Sequence, residues 1–221
     1  ALLRRPRPSR SGRLSPIPRS SAADPYHVMP ADLTLTALTS IPTIEPGDDL
    51  AALLLAAAAR ETQSLRDGDL VVVAQKIVSK AEGRFVELST VSPSSAARNL
   101  AAETGKDPRL VELILSESRE VLRTRPGLII VGHIMANAGI DRSNVGSGEE
   151  TVLLLPSDPD ASAQRLRQRL SGSSGARVGV IVSDSFGRPW RLGATGVAIG
   201  VAGPAMVQDR RGQPDRDGRL L

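Results

Sequence analysis

No cysteine occurs among the 221 residues. Disulfides and thiolate zinc centres are thereby excluded, and a cytosolic home is compatible. Aromatics make up 2%, with one Trp, one Tyr and two Phe. So few leave no stacking platform for single-stranded nucleic acid. Two histidines, His27 and His133, are too few for a multi-histidine metal site. A metal here would take hard oxygen ligands, which favours Mg²⁺ or Mn²⁺. No apolar run approaches the roughly 18 residues that span a bilayer. The longest, Leu50 to Ala59, reads as a buried helix. The phosphate-loop pattern Gly-x4-Gly-Lys-Ser/Thr is missing, as are Gly-x-Gly-x-x-Gly and Gly-x-Ser-x-Gly. A nucleotide must be held in some other way, and the sequence offers no hydrolase elbow.

What is present is a supply of Ala, Val, Leu and Ile within a 40% hydrophobic content. That suffices for one large domain or two small ones. The net charge of +4 is unevenly spread. Residues 1–28 carry Arg4, Arg5, Arg7, Arg10, Arg13 and Arg19 against the single acid Asp24. Their charge of +5 leaves −1 for residues 29–221. Such an Arg-, Ser- and Pro-rich segment reads as a disordered tail, because it cannot bury enough apolar surface to fold. It fits a transit peptide, a nucleic-acid-binding arm, or an over-extended start with the initiator at Met29. Five prolines argue against an amphipathic targeting helix and favour the last.

Along the body, Leu33–Leu38 alternates and predicts a strand, and Ile41-Pro42-Thr43-Ile44 an extended loop. Asp48 is positioned to cap a helix over Leu50–Arg60. Asp67-Gly68-Asp69 predicts a turn into a buried strand, Leu70–Val73. That strand ends at Gln75–Arg84, and Phe85–Leu88 follows as another. Pro93–Glu103 and Asp107–Glu117 predict helices, with Asp107-Pro108 as a cap and first-turn pair. Strands are expected at Leu128–Val131, Val152–Leu155, Val178–Val182 and Val197–Ala202. Asp158-Pro159 begins a basic amphipathic helix to Leu170, and Ser171–Gly175 reads as a flexible turn. There is no clean βαβ repeat. The fold class is α/β (mixed α+β) with a mixed sheet, and each polar motif is expected just past a strand's C-terminal end.

Three groups of residues carry chemistry. Arginine outnumbers lysine 25 to three, yet Lys76 and Lys80 sit four apart. A lysine kept in such a chain suits point-charge contact with phosphate; a solvated surface loop is the plainer reading. Asp141 and Asp184 each lie in a loop of small and polar residues, beside a hydroxyl and an arginine. Two carboxylates with phosphate oxygens and water make a Mg²⁺ or Mn²⁺ shell. Ser185 can add a hydroxyl, and Asn144 can reach a base or phosphate. A lone Asp in such a loop is more often a turn or cap. Arg188 and Arg191 flank Pro189-Trp190 and could clamp a carboxylate or phosphate, or lie simply on the surface.

The segments Gln75–Arg84, Ala136–Val145 and Asp184–Arg191, in this order and spacing, resemble the coenzyme F420-0:L-glutamate ligase family. Leu154-Leu155-Pro156, Asp158-Pro159-Asp160 and Ala198-Ile199-Gly200 fit as well, so the resemblance covers about residues 33–221. It implies a GTP-dependent ligase that joins L-glutamate to coenzyme F420-0 and then adds γ-linked glutamates. The acceptor carboxylate would pass through an acyl phosphate. By the same resemblance Asp141 and Asp184 are ligands of one divalent metal, and Ser185 helps hold a second. Ile41, Pro42, Thr43, Ile44, Gln75, Lys76, Lys80 and Asn144 match nucleotide-contacting positions. Arg188 and Arg191 are assigned to the glutamate or the coenzyme phosphate, and no residue is assigned a catalytic proton transfer. Mg²⁺ or Mn²⁺, with room for K⁺, a homodimer, a cytoplasmic site, and no nucleic-acid or membrane partner complete the expectation. The family's domain continues past Gly218-Arg219-Leu220, so the chain is expected to be C-terminally incomplete. The alternative is an inactive ligase domain that serves only in dimerisation or binding.

Overall fold

The computed structural model describes residues 2–4, 33–61, 63–131, 135–143, 145, 150–188, 191–204, 209–215 and 217–220; at 2–4, 135, 188 and 191 it describes the backbone. Strands β1 (Leu2–Arg4) and β2 (Thr34–Thr36) pair antiparallel, Leu3 opposite Leu35. Residues 2–4 are thus placed in a sheet, where an unstructured tail over 1–28 was expected. The rest of that tail lies outside the described residues. Helix α1 spans Leu50–Arg60, the predicted range. Its cap is Asp49, whose carboxylate accepts from Ala52 N, and not Asp48. Asp48 instead closes the preceding turn by accepting from Glu45 N at 2.8 Å.

Strand β3 (Leu70–Ala74) leads straight into helix α2 (Gln75–Ala81). No element was predicted over Gln75–Arg84, where a surface loop was only the plainer reading of the two lysines. The apolar positions Ile77, Val78 and Ala81 fall on one face of two helical turns and dock the segment on the core. Strand β4 (Phe85–Glu87), helices α3 (Ser95–Thr104) and α4 (Pro108–Ser116) follow, with Ser94 and Asp107 as their caps. Strand β5 (Val121–Arg125) was not foreseen. Arg123 and Arg125 mask its alternation, but Pro126-Gly127 turns it back onto β6 (Leu128–Val131), with Gly127 at φ 74°. Next come β7 (Met135–Ala136) and a 3₁₀ turn over Asn137–Gly139, then β8 (Thr151–Leu153).

Helix α5 spans Pro159–Ser174, capped by Asp158 through Ala161 N. It runs through the segment expected to be a flexible turn. Ser174 donates its hydroxyl back to Leu170 O, and Gly175 at φ 72° ends the helix in the left-handed conformation. Two long strands, β9 (Gly179–Arg188) and β10 (Arg191–Ala202), close the described body as a hairpin.

The main sheet has the order β10-β9-β3-β1-β2. It is mixed: β3 and β9 run parallel, from Leu70 opposite Gly179 to Ala74 opposite Ser183, and the other pairs are antiparallel. Its core joins Val71, Val73, Val180 and Val182 to Leu54 of α1 and Leu166 and Leu170 of α5. A second core packs Val111 and Ile114 of α4 against Ile129, Val131 and Val152. The two smaller sheets, β5-β6-β7 and β4-β8, belong to that second part. The predicted mixed α/β architecture is the one observed.

Candidate functional site

β3 stops pairing at Ala74, while β9 continues for five residues beyond its partner Ser183. Asp184 and Ser185 therefore stand just past the C-terminal edge of β3, beside the first turn of α2. Asp184 was expected at a strand end. It sits inside a longer strand, opposite Val197, but at the end of its parallel neighbour. Asp141 reaches the same place from the second part of the molecule. Its backbone bridges Leu153, N–H to carbonyl in both directions at 2.9 Å. Two cores thus deliver two aspartates to one mouth.

A cavity of about 760 Å³ opens there. Gln75, Lys76, Asp141, Ser143, Asp184 and Ser185 line it, as do Ser183 and Phe186. The volume suits a ligand of nucleotide or cofactor size. Lys76 Nζ donates to Asp141 Oδ2 at 2.8 Å, to Ser143 O at 2.8 Å and to Ser143 Oγ at 3.1 Å. Ser143 in turn donates N–H (2.7 Å) and O–H (2.8 Å) to Asp141 Oδ1. Burial alone would raise the Asp141 pKa. The Lys76 ammonium and the Ser143 donors outweigh it and hold the carboxyl below its ordinary value.

Asp184 is perturbed the other way. Burial pushes its pKa up, and the nearby Asp141 charge adds to the rise. The Ser185 N–H at 2.8 Å, the Gln75 side chain and the Lys76 charge offset only part of it. Gln75 is itself buried, and its carbonyl accepts from the Ser79 hydroxyl at 3.0 Å. That bond turns the Gln75 amide N–H₂ toward Asp184.

A carboxyl whose folded pKa is raised loses native stability as pH climbs from the unfolded to the folded value. Above the folded value the wild type bears that loss in full. Asp184→Asn is therefore expected to raise Tm at pH 7, with the gain shrinking as pH falls through the folded pKa toward the ordinary 3.8. Thermal melts of both proteins across pH 3–8 check it. A variant that melts lower at pH 7 than at pH 4, relative to wild type, contradicts the sign.

The residues fit a hard divalent cation. The two carboxylates and Ser185 that line the cavity offer oxygen donors only, and one carboxylate already holds a cation in the form of the Lys76 ammonium. Among the described residues no cluster of three or more His, Asp or Glu surrounds such an ion. The rest of a shell would come from phosphate oxygens and water, as Mg²⁺ and Mn²⁺ prefer.

Of the other predicted positions, Ile41 packs against the first core, Ile44 is buried, and Pro42 and Thr43 are exposed. None of the four lines the cavity, nor does Lys80. Glu61 fixes the start of that segment, accepting both N–H and O–H of Thr39 and Ser40. Asn144, and the side chains of Arg188 and Arg191, lie outside the described residues. Ser143 and Ser183 were given no role in the sequence reading. Their only signal was the recurrence of a serine beside each aspartate.

The fold and site define an α/β protein with an anionic, hydroxyl-lined cavity at the edge of a mixed sheet. The F420-0:gamma-glutamyl ligase family model matches residues 39–221. Among similar proteins, the coenzyme F420:L-glutamate ligase of Methanothermobacter thermautotrophicus is 45% identical over 86% of this chain and 76% of its own length. That of Methanopyrus kandleri is 47% identical over 80% and 69%, and that of Haloarcula marismortui 46% over 84% and 73%. The chain belongs to the F420-0:gamma-glutamyl ligase family.

Proposed function

We propose that this chain adds L-glutamate to coenzyme F420-0, with GTP as the energy source and Mg²⁺ or Mn²⁺ as the metal. The observation that carries this reading is the convergence of Asp141, Asp184 and Lys76 on one cavity. Phosphoryl transfer needs positioning and charge more than proton shuttling, and this site supplies charge. The names of the similar ligases supply the substrates.

The acceptor carboxylate attacks the γ-phosphorus of GTP, giving an acyl phosphate and GDP. The glutamate amine then attacks the acyl carbon. The amide forms, phosphate leaves, and the amine proton goes to solvent. In this scheme Lys76 meets phosphate oxygens as a point charge. Gln75 and the Ser185 N–H hold Asp184 in place, and Ser143 holds Asp141. A divalent ion on Asp141, Asp184 and Ser185 would neutralise charge on the transferring phosphoryl group. Asn144 is assigned to the nucleotide, and Arg188 and Arg191 to the glutamate or coenzyme phosphate; Ile41–Ile44 and Lys80, which do not line the cavity, are given no contact within it. No helix among the described residues is long and apolar enough to cross a membrane. A cytoplasmic homodimer belongs to the same proposal.

Acceptor labelled with ¹⁸O in its carboxylate tests the route. One label is expected in each phosphate released, with GDP formed only when both L-glutamate and F420-0 are present. Unlabelled phosphate, or GDP released without either substrate, overturns it. A protein that binds neither GTP nor metal would instead fit a binding module.

A further inference from the structure

Lys76 does more in this structure than wait for a phosphate. Its ammonium has three hydrogens, and each has an acceptor: Asp141 Oδ2, Ser143 O and Ser143 Oγ. Asp141 is equally occupied. Oδ1 takes both donors of Ser143, and Oδ2 takes Lys76. The carboxylate oxygen left for a metal is the one the lysine holds. Asp184 lines the same cavity, and among the described residues no such cation is bonded to it; its partners are the Ser185 N–H and Gln75.

We propose that Lys76 is a built-in, displaceable counter-ion that occupies the metal place on Asp141 until a phosphate-bearing ligand draws it away. This rests on the reading of the cavity as a metal and nucleotide site. Three features support it. Lys76 and Asp141 are 28% and 22% exposed, so an entering ligand reaches the pair. Lys76 lies in the first turn of α2 on a four-carbon stem, which can swing without moving the helix. And the Ser143 loop closes on the lysine through its own carbonyl, so release of Lys76 frees that loop as well.

The consequence is an order of assembly. A divalent ion alone must compete with a tethered ammonium for Asp141 and then sit beside it. With nucleotide present, the ammonium turns to the phosphates and the competition ends. Metal and nucleotide therefore bind with positive coupling, and coupling of this kind is reciprocal. The empty enzyme keeps its two carboxylates partly neutralised without recruiting metal.

Mn²⁺ titrated into the protein without nucleotide, followed by electron paramagnetic resonance of the free ion, tests this directly. Lys76→Met and Lys76→Gln both remove the charge at a partly exposed position. Each is expected to bind Mn²⁺ at least about tenfold more tightly than wild type, because a unit charge near 4 Å repels a divalent ion by more than that factor even in a surface-like medium. Adding Asp184→Asn to Lys76→Met is expected to abolish the gain. Equal or weaker binding by both single variants overturns the proposal. So does a gain that survives Asp184→Asn, since the ion would then sit elsewhere. GDP release by the wild type decides the ligase reading separately. If it occurs while the lysine variants show no gain, only the role given to Lys76 falls.

Discussion

Asp184→Ala is expected to lower the rate of glutamate addition by about a thousandfold or more, the scale seen when one charge-stabilising group is removed from a phosphoryl-transfer site. The expectation comes from position. Asp184 lines the cavity at the register where β3 has ended, and Asp141 lines it too. Its side chain does little for the fold. The bonds it accepts come from its neighbour Ser185 N–H and from Gln75, and its backbone pairs with Val197 whatever the side chain. Its charge sits half-buried at a cost, which is why the neutral variant should melt no lower than wild type. Loss of turnover with retained or raised Tm is the pattern of a group kept for function at the expense of stability. Steady-state kinetics beside a thermal melt separates this from unfolding. Normal turnover in Asp184→Ala would remove Asp184 from the site. Gln75→Ala offers a graded comparison: it leaves both carboxylates and removes the amide that positions one, so its effect should be smaller.

Much of this site could be read before any coordinates. Lys76 stood out because lysine is scarce here, and the aspartates because each lies beside serine and arginine in a small-residue loop. What the chain alone could not show is how the pieces meet. Positions 75, 141 and 184 converge because a parallel pair, β3 and β9, aligns two of them and a single antiparallel bridge at Leu153 brings the third. Neither leaves a local signal. Lys80 shows the converse. Its i, i+4 spacing from Lys76 suggested a pair acting together. Once Gln75–Ala81 is a helix leaving the sheet, four residues carry Lys80 about 6 Å further along the axis, and it does not line the cavity.

The elements follow the same division. Helix α1 matched its predicted range because Ala and Leu dominate it and an aspartate lies at its start; the choice between Asp48 and Asp49 depended on backbone geometry. β5 was missed because exposed arginines interrupt its pattern, so pairing with β6 and the Pro-Gly turn decide it rather than propensity. The end of α5 was missed because Ser-Gly-Ser-Ser-Gly has loop composition. The Ser174 hydroxyl, bonded back to Leu170 O, and a left-handed Gly175 close it one turn later instead.

The other large expected effect lies away from the cavity. At Gly200, β10 crosses the first turn of α5 so closely that an added Cβ would stand 2.2 Å from Pro159 O and 2.4 Å from its carbonyl carbon. These are backbone atoms and cannot rotate aside. The approach is fixed from both directions. The β9–β10 register shifts between Ala198 and Gly200, and the next residue, Val201, donates its N–H to the Asp160 carboxylate at 2.8 Å. Gly200→Ala must therefore push β10 off α5, or pull α5 off the core that Ala163, Leu166 and Leu170 build with the main sheet. Overpacking of this kind costs about 3 kcal/mol, which for a chain of this size is a fall in Tm of roughly 6–12 °C. Gly172→Ala is the control. Gly172 lies inside α5 with nothing within 4 Å of its added Cβ, so alanine there should stabilise by roughly 0.5–1 kcal/mol through helix propensity. If both variants melt with wild type, the close crossing is wrong. If Gly200→Ala alone falls, the strand beside Asp184 is held in place by a contact that only glycine permits, and turnover should fall with it, since β10 is the strand that pairs with β9 at Asp184.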